Sequence, residues 1–295
     1  MKIRIGISSG TAGLGARAFG QLADDVARLG FDSLWMPEIL TVAAHDPLVG
    51  LAWAAGRNPS LKIGTTMLLP GRNLVRLAKQ VGSLDTLSEG RFLLTFVPGI
   101  ARGAERDAVG VDLAGRGEVM DDALPVLRRL WAGETVSHRG PAGTLSEVSV
   151  SPRPVQDPFE LWLGGMVPAA LRRCGRLADG WLPAFCTPEE AAAGREVVDA
   201  AAQASGRAIS DEHFGVSIGY TPGPLDDAVR ASMAQRARGR PVEDLVPAGY
   251  DALRDLLERF VAVGFSKFVL RPVVPVPDEG AELERLANAV GDLQN

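Results

Sequence analysis

Eight times along this chain a short apolar or β-branched run gives way to a helix-patterned segment. That alternation constrains the fold more than any other feature, because it demands parallel strands joined by helical crossovers. Strands are expected at 3–8, 33–36, 61–69, 91–97, 159–163, 180–183, 214–220 and 267–271. The helical segments carry the matching period. Phe19, Leu22, Ala23 and Val26 recur at i, i+3, i+4 and i+7. Leu77, Val81, Leu84 and Leu87 mark a third helix, and Met120, Leu124, Leu127 and Trp131 a fourth over 118–131. Later helices are expected at 169–177, through Leu253, Leu256, Leu257, Phe260 and Val261, and through Leu283, Leu286, Ala287 and Val290.

Punctuation supports the same division. Gly30 stands where a C-cap glycine belongs. Asp46-Pro47 and Thr187-Pro188 each pair an N-cap side chain with a proline at the first helical position. Two stretches break the rhythm. Residues 132–158, rich in Gly, Pro and Ser, read as a surface hairpin inserted after the fourth helix. Residues 221–247 are poorly periodic and read as a loop with short helices. Eight units in 295 residues fit a single (β/α)8 TIM barrel over 1–295. An open doubly wound sheet is the alternative if 33–36 and 180–183 are not strands.

Composition narrows the partners. The net charge is −5 and no basic stripe occurs, which gives no support for nucleic-acid or membrane-surface binding. No apolar run approaches the roughly 18 residues of a membrane span, and the start lacks a signal-peptide pattern. Cys174 and Cys186 form neither a CxxC nor a framework, as suits a reducing, cytoplasmic setting. His45, His138 and His213 do not cluster with carboxylates at metal-ligand spacing, so no metal site is expected. The implied partner is a small-molecule substrate.

In a barrel, chemistry gathers at the C-terminal strand ends. The residues there include Ser8, Glu38, His45, Thr65, Thr66, Met67, Pro98, Gly99, Thr187, Tyr220 and Arg271. Few of these are acids, bases or nucleophiles, which suits an enzyme whose hard chemistry belongs to a cofactor. The fifth strand ends in Gly164-Gly165-Met166-Val167-Pro168. A glycine turn delivering a helix N-terminus is a ready anion site, with outward N–H groups and a favourable dipole. Taken alone, a ligand-free turn is the commoner reading of it.

Several segments occur in a distinctive order. They are Gly30-Phe31-Asp32-Ser33-Leu34-Trp35, Asp46-Pro47, Leu61-Lys62-Ile63-Gly64-Thr65 and Leu84-Asp85-Thr86-Leu87-Ser88-Glu89-Gly90-Arg91-Phe92. Arg129-Leu130-Trp131, Pro152-Arg153-Pro154-Val155-Gln156 and Ala178-Asp179-Gly180-Trp181-Leu182-Pro183 follow. In order and spacing these resemble the luciferase-like monooxygenase superfamily, most closely its branch that uses the deazaflavin coenzyme F420. The resemblance implies a (β/α)8 barrel with an insertion and a flavin or deazaflavin in its mouth. The coenzyme phosphate would rest on Gly164, Gly165, Met166 and Val167, with Thr187 a further contact. Pro98 and Gly99 join the cofactor-binding candidates. A non-proline cis peptide, forming a bulge behind the ring, would fall among Thr65, Thr66 and Met67. The resemblance also implies a homodimer built on helices after the second and third strands, which the apolar run 48–55 permits.

The implied activity is hydride exchange between F420 and a small organic substrate. An FMN-dependent monooxygenase using O2 is the alternative, and a non-catalytic flavin binder a third reading. Glu38 and His45 are the catalytic candidates, against the plainer readings of a rim salt bridge and a rim contact. Met36-Pro37-Glu38 stands where many deazaflavin members have an Asp-His pair, so the motif leaves the cofactor open. Gly99 is followed by Ile100-Ala101-Arg102 rather than by the glutamate of sugar-phosphate dehydrogenases, which argues against that substrate. Glu105 matches a broader family glutamate, read here as structural. Arg102 and Arg271 are candidates for holding an anionic substrate or the coenzyme tail. Asp85 and Arg91 read as a buried structural pair, and Trp131 as core.

Overall fold

The computed structural model describes residues 1–10, 13–99, 112 and 114–295. In chain order the elements are β1 (Arg4–Ser8), α1 (Ala16–Arg28), β2 (Ser33–Pro37), α2 (Pro47–Arg57), β3 (Lys62–Leu68) and α3 (Leu74–Leu87). Then come β4 (Phe92–Val97), α4 (Arg116–Trp131), β5 (Val136–Gly140), β6 (Gly143–Val148), β7 (Leu161–Leu163) and α5 (Pro168–Leu177). The chain closes with β8 (Gly180–Trp181), α6 (Pro188–Ala204), β9 (Gly215–Tyr220), α7 (Asp227–Ala237), α8 (Tyr250–Ala262), β10 (Lys267–Pro272) and α9 (Glu279–Val290). Arg102 and Glu105 lie outside the described residues.

The parallel sheet runs β8-β7-β4-β3-β2-β1-β10-β9. Its ends meet through bridges from Trp181 to Phe214 and from Ala184 to Ser217, and Ser217 N donates to Pro183 O at 2.9 Å. The fold is thus a TIM barrel. Both doubtful strands belong to it. The one expected at 180–183 is regular only over Gly180–Trp181, because beyond that point closure proceeds by isolated bridges.

Side chains alternate across each strand, and two separate apolar cores result. Ile5, Ile7, Leu34, Met36, Ile63, Met67, Leu94 and Phe96 face the helices, where they pack with Phe19, Leu22, Leu77, Val81 and Leu127. Trp35, Trp162, Leu182 and Val269, joined by Leu93, fill the lumen instead. Glycines make room for the indoles: a Cβ on Gly180 would stand 2.3 Å from the Trp162 ring. Trp35 Nε1 donates to Ser33 Oγ at 2.9 Å, so this plug is polar-satisfied.

Below the plug, at the N-terminal end of the barrel, Arg4, Asp32 and Lys267 line a small cavity with the two tryptophans. The Lys267 ammonium lies 4.3 Å from the Trp162 ring centroid. Burial lowers its pKa from 10.5 to about 8, partly offset by Glu160. The unfolded chain therefore binds more protons than the folded one between about pH 8 and 10.5. The destabilisation is full below pH 8 and fades as pH rises through that window. Lys267→Met should be the more stable protein near neutral pH and should lose this upward slope. Urea midpoints at neutral and alkaline pH check it, and parallel pH profiles for the two proteins would refute it.

The inserted segment is a β5–β6 antiparallel hairpin, docked on α4 where Asp122 accepts from His138 Nε2 and Ala142 N, each at 2.9 Å. Its return to β7 is held by Asp85, a fully buried carboxylate. Asp85 accepts from Val155 N at 2.8 Å, Gln156 N at 3.1 Å and Gln156 Nε2. Asp85 and Arg91 are therefore structural but not a pair. Arg91 donates to the carbonyls of Asn58, Leu61 and Ala55.

The stretch 221–247 holds a longer helix than its periodicity suggests. Asp226 N-caps α7 by accepting from Val229 N at 2.7 Å. Only a narrow stripe of α7 (Val229, Met233 and Ala237) packs inward, against Leu225, Val242, Leu245 and Val246. Val273 and Val274 complete this satellite core. Cys174 and Cys186 are free and buried.

Candidate active site

The upper lumen follows from strand parity. Gly64 touches the lumenal Trp35, so Thr66, two residues on, faces the same way. Thr65 and Met67 do not. Thr65 is fully buried, with Oγ1 donating to Met36 O at 2.7 Å, and Met67 belongs to the helix-facing core. The expected bulge is absent. Register is unbroken from Ile63↔Phe92 to Leu68↔Val97, and among the described residues the cis bonds are Ser151-Pro152 and Asp157-Pro158. With both neighbouring strands fully laddered, β3 has no slack for a bulge, and only Thr66 of the three residues is offered to the mouth.

Glu38 follows β2 and is 7% exposed. Its N–H donates to Thr66 O at 2.9 Å. Its Oε2 accepts from Leu68 N at 2.8 Å, serving the edge of β3 just where β2 has turned away. Its Oε1 takes the Arg72 guanidinium, and Arg72 Nε donates to Leu68 O at 2.7 Å. Glu38 is thus built into a closed clasp at the end of β3. His45 is exposed on the β2–α2 connection. Its Nε2 lies 2.7 Å from Leu14 O, and its ring meets Phe19 edge-on at 5.8 Å. A carbonyl only accepts, so Nε2 carries the proton and Nδ1 of the neutral ring keeps its lone pair.

The turn after β7 divides into two parts. Gly164 N is spent on Phe96 O at 3.0 Å. The role of Gly164 is space, since a Cβ there would meet Val97 Cγ1 at 2.8 Å. Gly165 has φ +112°, a backbone closed to other residues, and its carbonyl accepts from Trp181 Nε1 at 3.0 Å. Val167 N-caps α5 without a side-chain bond. Among the described residues, the N–H groups of Gly165, Met166, Val167 and Ala169 meet no acceptor. Unpaired amides around one helix start are the kind of arrangement that attracts an anion.

The remaining calls fall around this mouth. Gly99, at φ +88°, accepts from Arg116 Nη1 at 3.1 Å, and Pro98 is half-buried beside it. Thr187 is engaged in a capping box with Glu190, its Oγ1 accepting from Glu190 N at 3.3 Å and its own N–H donating to Glu190 Oε2 at 3.0 Å. Arg271 ends β10 on the lumenal parity of Val269. Two residues escaped the sequence reading. Thr95 is fully buried, and its Oγ1 has no partner among the described residues. A lone hydroxyl in the apolar run Phe-Leu-Leu-Thr-Phe-Val was the signal for it. Arg236, on α7, lies 4.9 Å over the Phe185 ring, and nothing in the weak periodicity there pointed to it. Among the described residues no group of three His, Cys, Asp or Glu side chains gathers to hold a metal. No described helix is long and apolar enough to cross a membrane.

The chain belongs to the luciferase-like monooxygenase family, whose model matches residues 1–260. Among curated relatives, the F420-dependent glucose-6-phosphate dehydrogenase of Microbacterium testaceum is 28% identical over 177 residues, 56% of this chain and 50% of that protein. The oxygenase component of the flavin-dependent trigonelline monooxygenase of Acinetobacter baylyi is 28% identical over 158 residues, 50% of this chain and 42% of that protein. The chain thus spans about half the length of the curated relatives it matches. Among solved structures, an F420-dependent secondary alcohol dehydrogenase in complex with an F420–acetone adduct superposes with TM-score 0.85 at 17% identity, covering all of both chains. EDTA monooxygenase from Chelativorans superposes with TM-score 0.78 at 16% identity, covering 99% of this chain and 94% of that one.

Proposed function

We propose that this chain is an oxidoreductase that exchanges hydride between coenzyme F420 and a small organic substrate at the barrel mouth. The observation that carries the reading is the row of free amides at Gly165, Met166, Val167 and Ala169, at the strand end where the coenzyme phosphate is expected. The buried, unpartnered Thr95 hydroxyl fits the same group, as a donor toward a polar ring edge. F420-dependent relatives in both sequence and structure support this choice of coenzyme. When bound, the deazaflavin supplies the hydride chemistry. The chain's own residues hold the phosphate, offer Thr66 and Thr95 toward the ring, and exclude water from below with the Trp35–Trp162 plug. His45 Nδ1 is the group free to take or give a proton, while Glu38 positions the end of β3.

FMN is the second reading, favoured by the flavin-dependent relative. Fluorescence titration with each coenzyme separates the two, and tight FMN binding with none of F420 would reverse the assignment. We extend the reading to a homodimer through α2, which leaves Val49 69% and Trp53 43% exposed.

Val167→Asp tests the seat with effects of opposite sign. A carboxylate at the N-cap should stabilise α5 by about 0.5–1 kcal/mol. The same charge should weaken coenzyme binding about tenfold or more, by occupying the amides and repelling phosphate. A rise in melting temperature with unchanged affinity would place the phosphate elsewhere.

A further inference from the structure

We propose that Arg271 and Arg236 form a two-guanidinium seat for an oxyanion carried by the substrate, a phosphate monoester or a carboxylate. The proposal rests on the barrel mouth being the active site. Arg271 is the last lumen-facing residue of β10, in register with Gly219 of β9, and it leans on no carboxylate or carbonyl among the described residues. Burial pushes its pKa down, and the neighbouring positive charge of Arg236 pushes it further the same way. A guanidinium withdrawn from water without an anion is costly.

Two other arginines of this region are paired, while Arg238 at the end of α7 is exposed to solvent. Arg230 pairs with Glu243 and Asp227. Arg240 pairs with Glu190 and donates to Phe185 O at 3.2 Å. Arg236 instead stacks on Phe185, a residue held at φ +56°, and has no acid of its own among the described residues. Ala184 bridges Ser217 of β9, and Gly219 of β9 is in register with Arg271, so Phe185 and the Arg236 stacked on it stand at the same end of the barrel as Arg271, neither arginine paired to an anion among the described residues. One stands on the barrel, the other on the satellite helix α7. A ligand oxyanion completes the arrangement and ties α7 to the barrel. Arginine suits the task, since its planar fork meets an oxyanion in bidentate fashion.

The test is calorimetric titration of the purified protein with inorganic phosphate at low ionic strength, with and without saturating F420. With F420 filling the amide seat after β7, a single phosphate site is expected. Arg271→Met should weaken it about tenfold and Arg236→Met by a smaller factor, with Arg271→Lys in between. Arg271→Met should also melt higher than the parent in phosphate-free buffer, because an uncompensated, half-buried cation is gone. Phosphate affinity unchanged in Arg271→Met overturns the seat. Phosphate expelled by F420 overturns the assignment to substrate and gives the seat to the coenzyme. Arg271-dependent phosphate binding in a protein that takes up no F420 keeps the seat and defeats the coenzyme reading instead.

Discussion

Glu38→Ala is expected to destabilise the chain by about 2–4 kcal/mol, for one buried donor left unsatisfied and the loss of a half-buried ion pair. The side chain serves two partners at once, the buried Leu68 N–H and the half-buried Arg72 guanidinium. Its loss leaves the end of β3 with an unsatisfied donor and Arg72 without its anion. Glu38→Gln keeps an oxygen for Leu68 N–H and should cost only about 1–2 kcal/mol. The pair of variants separates two roles that position alone cannot. If Glu38 moves protons, Glu38→Gln abolishes turnover while remaining folded. If it is a clasp, Glu38→Gln keeps most of its turnover and Glu38→Ala loses stability first. Urea midpoints with parallel turnover measurements decide, and a fully stable Glu38→Ala protein would remove the clasp from the account.

Asp85→Ala carries an effect of similar size through a different mechanism. One buried carboxylate accepts the N–H groups of Val155 and Gln156 and the Gln156 side-chain amide. Each buried donor left unsatisfied costs about 1–3 kcal/mol, so a loss of about 3–5 kcal/mol is expected after partial relaxation. The damage should be local before it is global, because these donors belong to the segment returning from the hairpin to β7. Limited proteolysis should cut the variant between 152 and 157 before the rest of the chain. A variant with an unaltered urea midpoint and no new cleavage would show that the return segment holds without Asp85.

The sequence made the barrel legible because burial on both faces leaves nearly continuous apolar strands, while each helix shows its period. The hairpin was visible as a break in that rhythm. What stayed hidden depends on distance rather than on pattern. The parity of β3, which sends Thr65 and Met67 outward, could not be read without knowing that the strand runs straight. The engagement of Glu38 by Arg72 spans 34 residues. The identity of Asp85's partners spans about twice as many, 70 to Val155. Thr187 looked available as a contact, yet its hydroxyl and amide are both consumed by the capping box that its own sequence signature announces. Arg236 was invisible because α7 buries too thin a stripe to print a helical period.

The satellite core around α7 has an evolutionary consequence. Leu225, Val229, Ala237, Val242, Leu245 and Val246 pack on one another rather than into the main core of the barrel. Substitutions on the outer face of that unit therefore leave the load on the barrel unchanged. Selection can redraw that rim of the barrel mouth, while the turn after β7 is held by close packing, a Cβ on Gly164 meeting Val97 Cγ1 at 2.8 Å. Conservatism and novelty are assigned to different pieces of one chain, and a lineage can reshape the rim without relearning how to fold.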